Sequence, residues 1–207
     1  MNYSEYIECM DYEEISIHIR NEAVLNKEVV QPILLISHNL SVTGAPIALL
    51  DMAGTLVKKG YQIFVLSLVG GDLLEEYLAV DSVVLVYSGR RIDMERLKRT
   101  AVLFPAVVVN TLALAPLVRS LAPVCDKTFW WIHESNYFFL ELDHDRIPEI
   151  PSLHILSASP KVSELISFHM GRSSRVLNVM VRDHRIHKNL SKEDKIIHFF
   201  WTGLINS

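Results

Sequence analysis

The chain has 207 residues, of which 50% are apolar and 21% charged, and this composition excludes disorder as its main state. Its net charge of −4 provides no overall positive field for a nucleic-acid backbone, so we expect no nucleic-acid partner. It shows no membrane-length apolar run, no basic leader and no metal-ligand or disulfide pattern around Cys9 and Cys125, which favours a cytoplasmic location.

Residues 1–30 form an added N-terminal element whose type the sequence leaves open. Tyr3, Tyr6, Ile7 and Met10 have helical spacing. Residues 15–19 then alternate between apolar and polar side chains, which also permits a strand.

From Gln31 onward, short β-branched runs alternate with amphipathic stretches. Strands are predicted at residues 33–37, 62–68, 82–87, 106–110, 128–132, 153–157 and 175–179, and helices at 46–59, 73–79, 91–104, 114–121 and 160–170. Pro46 and Pro160 suit a first helical turn, and Gly60 and Gly171 suit left-handed helix ends. The pattern predicts a Rossmann-like, doubly wound α/β domain, with a mostly parallel sheet and helices on both faces. Ligands are expected beyond the carboxyl ends of its strands.

The domain is expected to cover residues 31–180. A polar, basic linker follows at 181–195, and a new apolar strand with a glycine turn begins at 196–207. We interpret this last segment as the start of a truncated second domain.

The loop after the first predicted strand carries Thr43, Gly44 and Ala45 just before Pro46. Small residues allow a close backbone approach, and helix N-terminal N–H groups favour an anion. Neither the dinucleotide-binding nor the nucleotide-hydrolase glycine motif is present. A ligand loop and a plain strand-to-helix turn both remain open.

His133, Glu134 and Ser135 follow the fifth predicted strand, at the edge where ligands are expected. A neutral imidazole can both donate and accept a hydrogen bond, which suits a sugar hydroxyl. The alternative is a histidine that caps a helix or bonds a backbone carbonyl. Tyr137 excludes the H-E-x-x-H zinc motif. We expect no metal site at Asp143, His144 and Asp145 or at His184 and His187.

Several segments in this order resemble glycosyltransferase family four. They are Ser41-Val42-Thr43-Gly44-Ala45-Pro46, the following helix, Lys59-Gly60-Tyr61, Val109-Asn110-Thr111, Trp130-Trp131-Ile132-His133-Glu134-Ser135 and Phe199-Phe200-Trp201-Thr202-Gly203-Leu204-Ile205. The resemblance implies one half of a GT-B enzyme, in which the first domain binds the acceptor and the second binds a nucleotide-sugar donor. It also implies retention at the anomeric carbon without an obligatory metal or cofactor.

By position, the resemblance assigns His133 to the reaction centre. Thr43, Gly44 and Ala45 become substrate-binding residues near the donor phosphate and acceptor, and Glu134 and Ser135 shape the same wall. Residues 178–183 depart from the proline-asparagine-glycine turn that the family often has there.

The expected function is therefore sugar transfer to a glycan, as in polysaccharide biosynthesis, or to another acceptor. The 207-residue chain alone is expected to be inactive, because the groups that hold the donor belong to the second domain. The alternative is a non-catalytic Rossmann-like binding subunit completed by a partner chain. A dinucleotide-dependent oxidoreductase is disfavoured by the absent glycine motif.

The sugar, the nucleotide, the acceptor and the oligomeric state, including a homo-oligomer, stay open. So does a peripheral membrane contact through the basic helix around Arg96, Lys98 and Arg99, although a solvated face over a packed stripe is favoured.

Overall fold

The computed structural model describes residues 2–10, 14–21, 28–89, 93–140 and 147–178. The predicted linker at 181–195 and the predicted domain start at 196–207 lie outside these ranges. So do the three residues from Asp143 to Asp145, together with His184 and His187.

Helices and strands alternate along most of the described chain. The strands are β1 (Ile15–His18), β2 (Pro32–Ser37), β3 (Gln62–Ser67), β4 (Val83–Tyr87), β5 (Ala106–Asn110), β6 (Thr128–Ile132), β7 (Leu153–Ser157) and β8 (Arg175–Val176). The helices are α1 (Tyr3–Met10), α2 (Gly44–Lys58), α3 (Leu74–Ala79), α4 (Met94–Ala101), α5 (Ala115–Leu121), α6 (Asn136–Phe139) and α7 (Pro160–Met170), with a short 3-10 turn at Leu112–Leu114.

All eight described strands form one sheet in the order β1-β4-β3-β2-β5-β6-β7-β8. β1 is antiparallel to β4, and every other neighbouring pair is parallel. The central strands are apolar at nearly every position because helices cover both faces of a parallel sheet. The predicted doubly wound α/β class is therefore confirmed.

Alternate residues of the central strands enter two separate cores. On one face, Leu34, Phe64 and Trp130 pack with side chains from α1, α4, α5 and α7. On the other face, Leu35 and Trp131 pack with side chains from α2 and α3. Adjacent residues point to opposite faces of a strand, so Trp130 and Trp131 belong to different cores.

The N-terminal element contains a helix followed by a strand, which resolves the open question of its type. The Tyr3 and Tyr6 rings each lie 5.4 Å from the Phe64 ring. The Tyr6 hydroxyl donates to the Leu103 carbonyl over 3.2 Å, and the Thr100 hydroxyl donates to the Cys9 carbonyl over 3.0 Å. β1 adds an antiparallel edge strand beside β4.

Several predicted boundaries need correction. α2 begins at Gly44, two residues before Pro46. α4 is shorter than predicted at both ends, and the Asp93 side chain caps its start by accepting from the Arg96 N–H over 3.1 Å. β8 is a two-residue strand, and α6 was not predicted.

Other local expectations are confirmed. Gly60 and Gly171 follow the last helical residues and have φ values of 91° and 61°. In α4, Leu97 and Ala101 are buried, whereas Arg96 and Arg99 are exposed.

Candidate active site

The candidate site lies at the point of the sheet where successive strands stop being added on one side of β2 and start being added on the other. β2 pairs with β3 on one side and with β5 on the other, and β5 is reached only after two further strands. In open α/β sheets, the crevice beyond the carboxyl ends of such strands is the usual ligand site. β2 ends at Ser37 and β5 ends at Asn110, so both residues border this crevice.

The loop after β2 is closed by hydrogen bonds between residues two positions apart. The Ser37 hydroxyl donates to the Asn39 carbonyl over 2.7 Å. The Asn39 Oδ1 atom accepts from the Ser41 N–H over 3.1 Å and from the Ser41 hydroxyl over 2.9 Å. A further contact of 3.0 Å joins the Ser41 and Thr43 hydroxyls. This network sets the direction in which the chain enters α2.

The first turn of α2 is left without a side-chain cap. Thr43 has the extended conformation of an N-cap residue, yet its side chain makes no capping hydrogen bond. The N-terminal end of a helix carries partial positive charge, which here is not offset by an acidic residue in the first turn. This end of α2, which carries the predicted site residues Thr43, Gly44 and Ala45, therefore suits an anionic or hydroxyl-rich ligand.

The loop after β3 packs directly against the loop after β2. The Leu73 N–H donates to the Leu40 carbonyl over 2.9 Å. A Cβ atom placed on Gly71 would lie 2.4 Å from the Leu40 carbonyl carbon and oxygen. Only glycine permits this approach of two backbones without displacing one of them.

Asn110 joins the start of α2 to His133. This fully buried side chain donates from Nδ2 to the Ala45 carbonyl over 2.9 Å. Its Oδ1 atom lies 2.9 Å from His133 Nε2. The structure therefore brings two predicted site residues, Ala45 and His133, together at the same end of the sheet through one amide.

His133 is held on two sides. Its ring lies 4.4 Å from the Trp131 ring at an interplanar angle of 52°, and Nε2 contacts Asn110. Burial lowers the pKa of His133 to about 4, so the imidazole is neutral at neutral pH. Among the described residues, the ring's hydrogen-bonding partner is the Asn110 side chain.

The Glu134 side chain hydrogen-bonds within the turn that carries His133, whereas Ser135 is exposed to solvent. The Glu134 Oε2 atom accepts from the His133 backbone N–H over 2.9 Å. Burial raises the pKa of Glu134, and hydrogen bonds from the His133, Leu112 and Glu134 backbones oppose that shift. Ser135 is exposed and precedes α6 in an extended conformation, without a side-chain capping bond.

Asn110 and Thr111 are the site residues that sequence reasoning missed. Thr111 has a φ of 83°, a strained conformation for a β-branched residue. Its N–H donates to the Trp131 carbonyl and its carbonyl accepts from Trp130 Nε1, both over 2.8 Å. The sequence signal that could have identified Asn110 as a site residue is its position as a polar residue at the end of an apolar strand, beside the crevice.

The described part of the chain offers neither a metal-binding cluster nor a membrane-spanning helix. It contains no group of three or more histidine, cysteine or acidic side chains arranged to hold a metal ion. No helix in these ranges has both the length and the apolar character required to cross a bilayer.

The strand order and the helices on both faces define the class of this protein as a Rossmann-like α/β domain. A sequence model described as glycosyl-transferase family 4 matches residues 30–167, about two thirds of the chain. The chain therefore belongs to glycosyltransferase family 4, and its sheet is consistent with one half of a GT-B architecture. The matched region contains every candidate site residue. No curated protein matches the chain.

Proposed function

We propose that this chain is the acceptor-side domain of a retaining glycosyltransferase, which transfers a sugar from a nucleotide-sugar to a glycan or another acceptor. The observation that carries the proposal is the Asn110 bridge between Ala45 and His133. It places an uncapped helix start beside a neutral imidazole at the crevice of the sheet. Family membership supports sugar transfer as the chemistry.

The proposed mechanism is electrostatic. The start of α2 would stabilise negative charge on the diphosphate leaving group or on the reacting acceptor, and His133 would orient the transferred sugar. The Glu134 Oε2 atom accepts from the His133 backbone N–H, so we propose that Glu134 supports the turn that carries His133. We assign no Asp or Glu of this chain to a covalent intermediate.

We propose no cofactor, since the nucleotide-sugar is a substrate and carries its own leaving group. Within the described ranges, the side-chain hydrogen bonds of the site involve Ser37, Asn39, Ser41, Thr43, Asn110, His133 and Glu134, and none involves a Lys or Arg side chain. Cationic groups for the diphosphate would then come from a second, donor-binding domain. We propose that transfer requires that domain, and that it occurs in the cytoplasm, at the membrane periphery if the acceptor is lipid-linked.

The test is release of nucleoside diphosphate from a panel of nucleotide-sugars in the presence of candidate acceptors. It compares the 207-residue chain with a chain extended by a donor-binding domain, and we expect turnover only from the extended chain. His133→Ala in the extended chain should lower kcat by about 10²-fold, which corresponds to about 2.7 kcal/mol.

His154→Ala is the matched control, because His154 is exposed on β7 and contacts Phe129 away from the crevice. Its kcat should be unchanged. If His133→Ala also retains full kcat, His133 has no role in the reaction.

The absence of basic side chains among those hydrogen bonds also favours a second candidate, a non-catalytic binding subunit. In that case the extended chain would bind a sugar compound in calorimetry and release no nucleoside diphosphate. Binding that is lost in His133→Ala without any turnover would support this candidate over the enzyme.

A further inference from the structure

The Asn110 amide restricts what His133 can offer to a ligand. We propose that Asn110 is a positioning residue that fixes His133 as the Nε2-protonated tautomer, which leaves Nδ1 as a hydrogen-bond acceptor for a ligand hydroxyl. This inference deepens the proposed function and rests on it for the identity of the ligand as a sugar. The tautomer itself follows from contacts within the chain.

The orientation of the amide is determined by its other partner. Asn110 contacts the Ala45 backbone carbonyl, which can only accept a hydrogen bond. The amide nitrogen must therefore lie toward Ala45, because a carbonyl oxygen in that place would meet another acceptor. This leaves Oδ1 toward His133 Nε2, at 2.9 Å.

The proton on the imidazole follows from the same reasoning. Oδ1 of an amide can only accept, so Nε2 must carry the hydrogen of the 2.9 Å contact. Burial holds the pKa of His133 at about 4, and the neutral ring has only one N–H. None of the hydrogen bonds between described residues uses Nδ1, so its lone pair remains available there.

A fixed acceptor selects its ligand by chemistry. A hydroxyl can donate to Nδ1, whereas a phosphate, a carboxylate or a carbonyl oxygen would meet the lone pair as a second acceptor. A site built to accept from one hydroxyl discriminates against analogues that lack the hydrogen, because its buried polar atom is then left unpaired. His133 is thus suited to a neutral sugar hydroxyl and not to the diphosphate.

The same amide couples the two halves of the site. Asn110 holds the first turn of α2 through Ala45 and the imidazole through Nε2. Because Asn110 is fully buried, both partners depend on one rigid side chain. A change at Asn110 should therefore alter His133 without removing it.

The first experiment measures the tautomer directly in the 207-residue chain. Histidine-selective ¹⁵N labelling and two-bond ¹H–¹⁵N correlation spectra at neutral pH distinguish protonated from unprotonated ring nitrogens. His133→Gln assigns the His133 signals among the nine histidines. We expect a protonated Nε2 and an unprotonated Nδ1, and a protonated Nδ1 in the wild-type chain would overturn the proposal.

Asn110→Asp is the informative variant. Its carboxylate still accepts from Nε2 but cannot donate to Ala45, and its charge favours the imidazolium form. We expect the pH at which both ring nitrogens of His133 become protonated to lie above that of the wild type, while the His154 signals stay unchanged. An unchanged His133 titration in folded Asn110→Asp would overturn the positioning role, and if this variant does not fold, the wild-type spectrum alone decides.

The second experiment tests the choice of ligand group in the extended chain. The nucleotide-sugar that supports transfer is compared with its deoxyfluoro analogues, in which fluorine replaces one hydroxyl at a time and cannot donate. One analogue should lose about 10- to 100-fold in kcat/KM with the wild type and less with Asn110→Asp at a pH where its His133 is imidazolium, because an imidazolium no longer accepts from the hydroxyl. An equal loss in both chains would overturn the acceptor role.

The two experiments separate this inference from the proposed function. If the chain shows the expected tautomer and transfers no sugar, the glycosyltransferase proposal fails while the positioning role of Asn110 stands. If sugar is transferred and Nδ1 carries the proton, the positioning role of Asn110 fails while the glycosyltransferase proposal stands.

Discussion

The loops that follow β2 and β6 border the same crevice but are stabilised in different ways. After β2, Ser37, Asn39 and Ser41 bond to partners two positions away. After β6, His133 depends on Asn110, which lies 23 positions earlier in the sequence. The first loop is therefore closed largely by local contacts, whereas the second takes its geometry from a neighbouring strand.

This difference shows how the two sides of the site should respond to change. A local loop can keep its shape when a distant core residue is altered, because its partners move with it. The turn around His133 should lose its geometry whenever β5 and β6 shift relative to each other. The following predictions test this contrast.

The largest effect is expected for Trp130→Ala. Trp130 is fully buried, and its indole N–H donates to the carbonyl of the strained Thr111. Removing a large buried aromatic side chain costs about 3–5 kcal/mol of unfolding free energy. Urea denaturation measures the loss, and the His133 ring signals should shift more than the backbone signals of Asn39 and Ser41.

Phe129→Ala is the control for Trp130→Ala. Phe129 is only partly buried and contacts the exposed His154 on the opposite face of β6. Its loss should cost clearly less unfolding free energy and leave the His133 signals in place. Equal costs for the two variants would contradict the contrast between the two sides of the strand.

An intermediate effect is expected for Gly71→Ala, because the new side chain would clash with the loop after β2. The new Cβ atom would lie 2.4 Å from the Leu40 backbone and 2.8 Å from the Ser41 N atom, so one backbone must move. We expect a loss of about 1–3 kcal/mol in unfolding free energy. In the extended chain, kcat/KM should also fall, since Leu40 and Ser41 lead into α2.

Gly70→Ala is the matched control for Gly71→Ala. A Cβ atom at Gly70 would meet only Val86 Cγ1 at 3.6 Å, an ordinary contact. Its unfolding free energy should change by less than about 0.5 kcal/mol. If the two alanine variants behave alike, the close backbone approach at Gly71 has no energetic role.

The smallest effect concerns the pH dependence of stability. Burial lowers the pKa of His133 from 6.5 to about 4. Between these two pH values, His133 binds a proton in the unfolded chain but not in the native chain. His133 therefore reduces the unfolding free energy as pH falls through this window. Glu134 acts in the opposite sense, because burial raises its native pKa and favours native protonation as pH falls.

His133→Gln isolates the histidine contribution to that pH dependence. Urea denaturation between about pH 7 and pH 5 should show a shallower decline in this variant, with a difference on the order of 1 kcal/mol. Parallel declines in the variant and the wild type would mean that His133 titrates equally in the native and unfolded states.

Much of the fold was predictable because its signals are local. Strands β5, β6 and β7 and helix α7 have the predicted bounds, since buried apolar runs and terminal proline and glycine residues mark them. Position after a strand also marked the edge that carries Gly44 and His133. The four-residue α6 was missed because so short a helix has no periodicity to detect.

The sequence by itself determined the alternation of strands and helices, the edge of the sheet that bears the polar residues and the family resemblance. Only the tertiary structure decided that Asn110 joins Ala45 to His133, and that β1 runs antiparallel to β4. The physical reason is that periodicity reports which face of an element is buried, whereas a hydrogen bond between distant residues depends on how strands are ordered in space. The neutral state of His133 likewise comes from its burial in the folded chain.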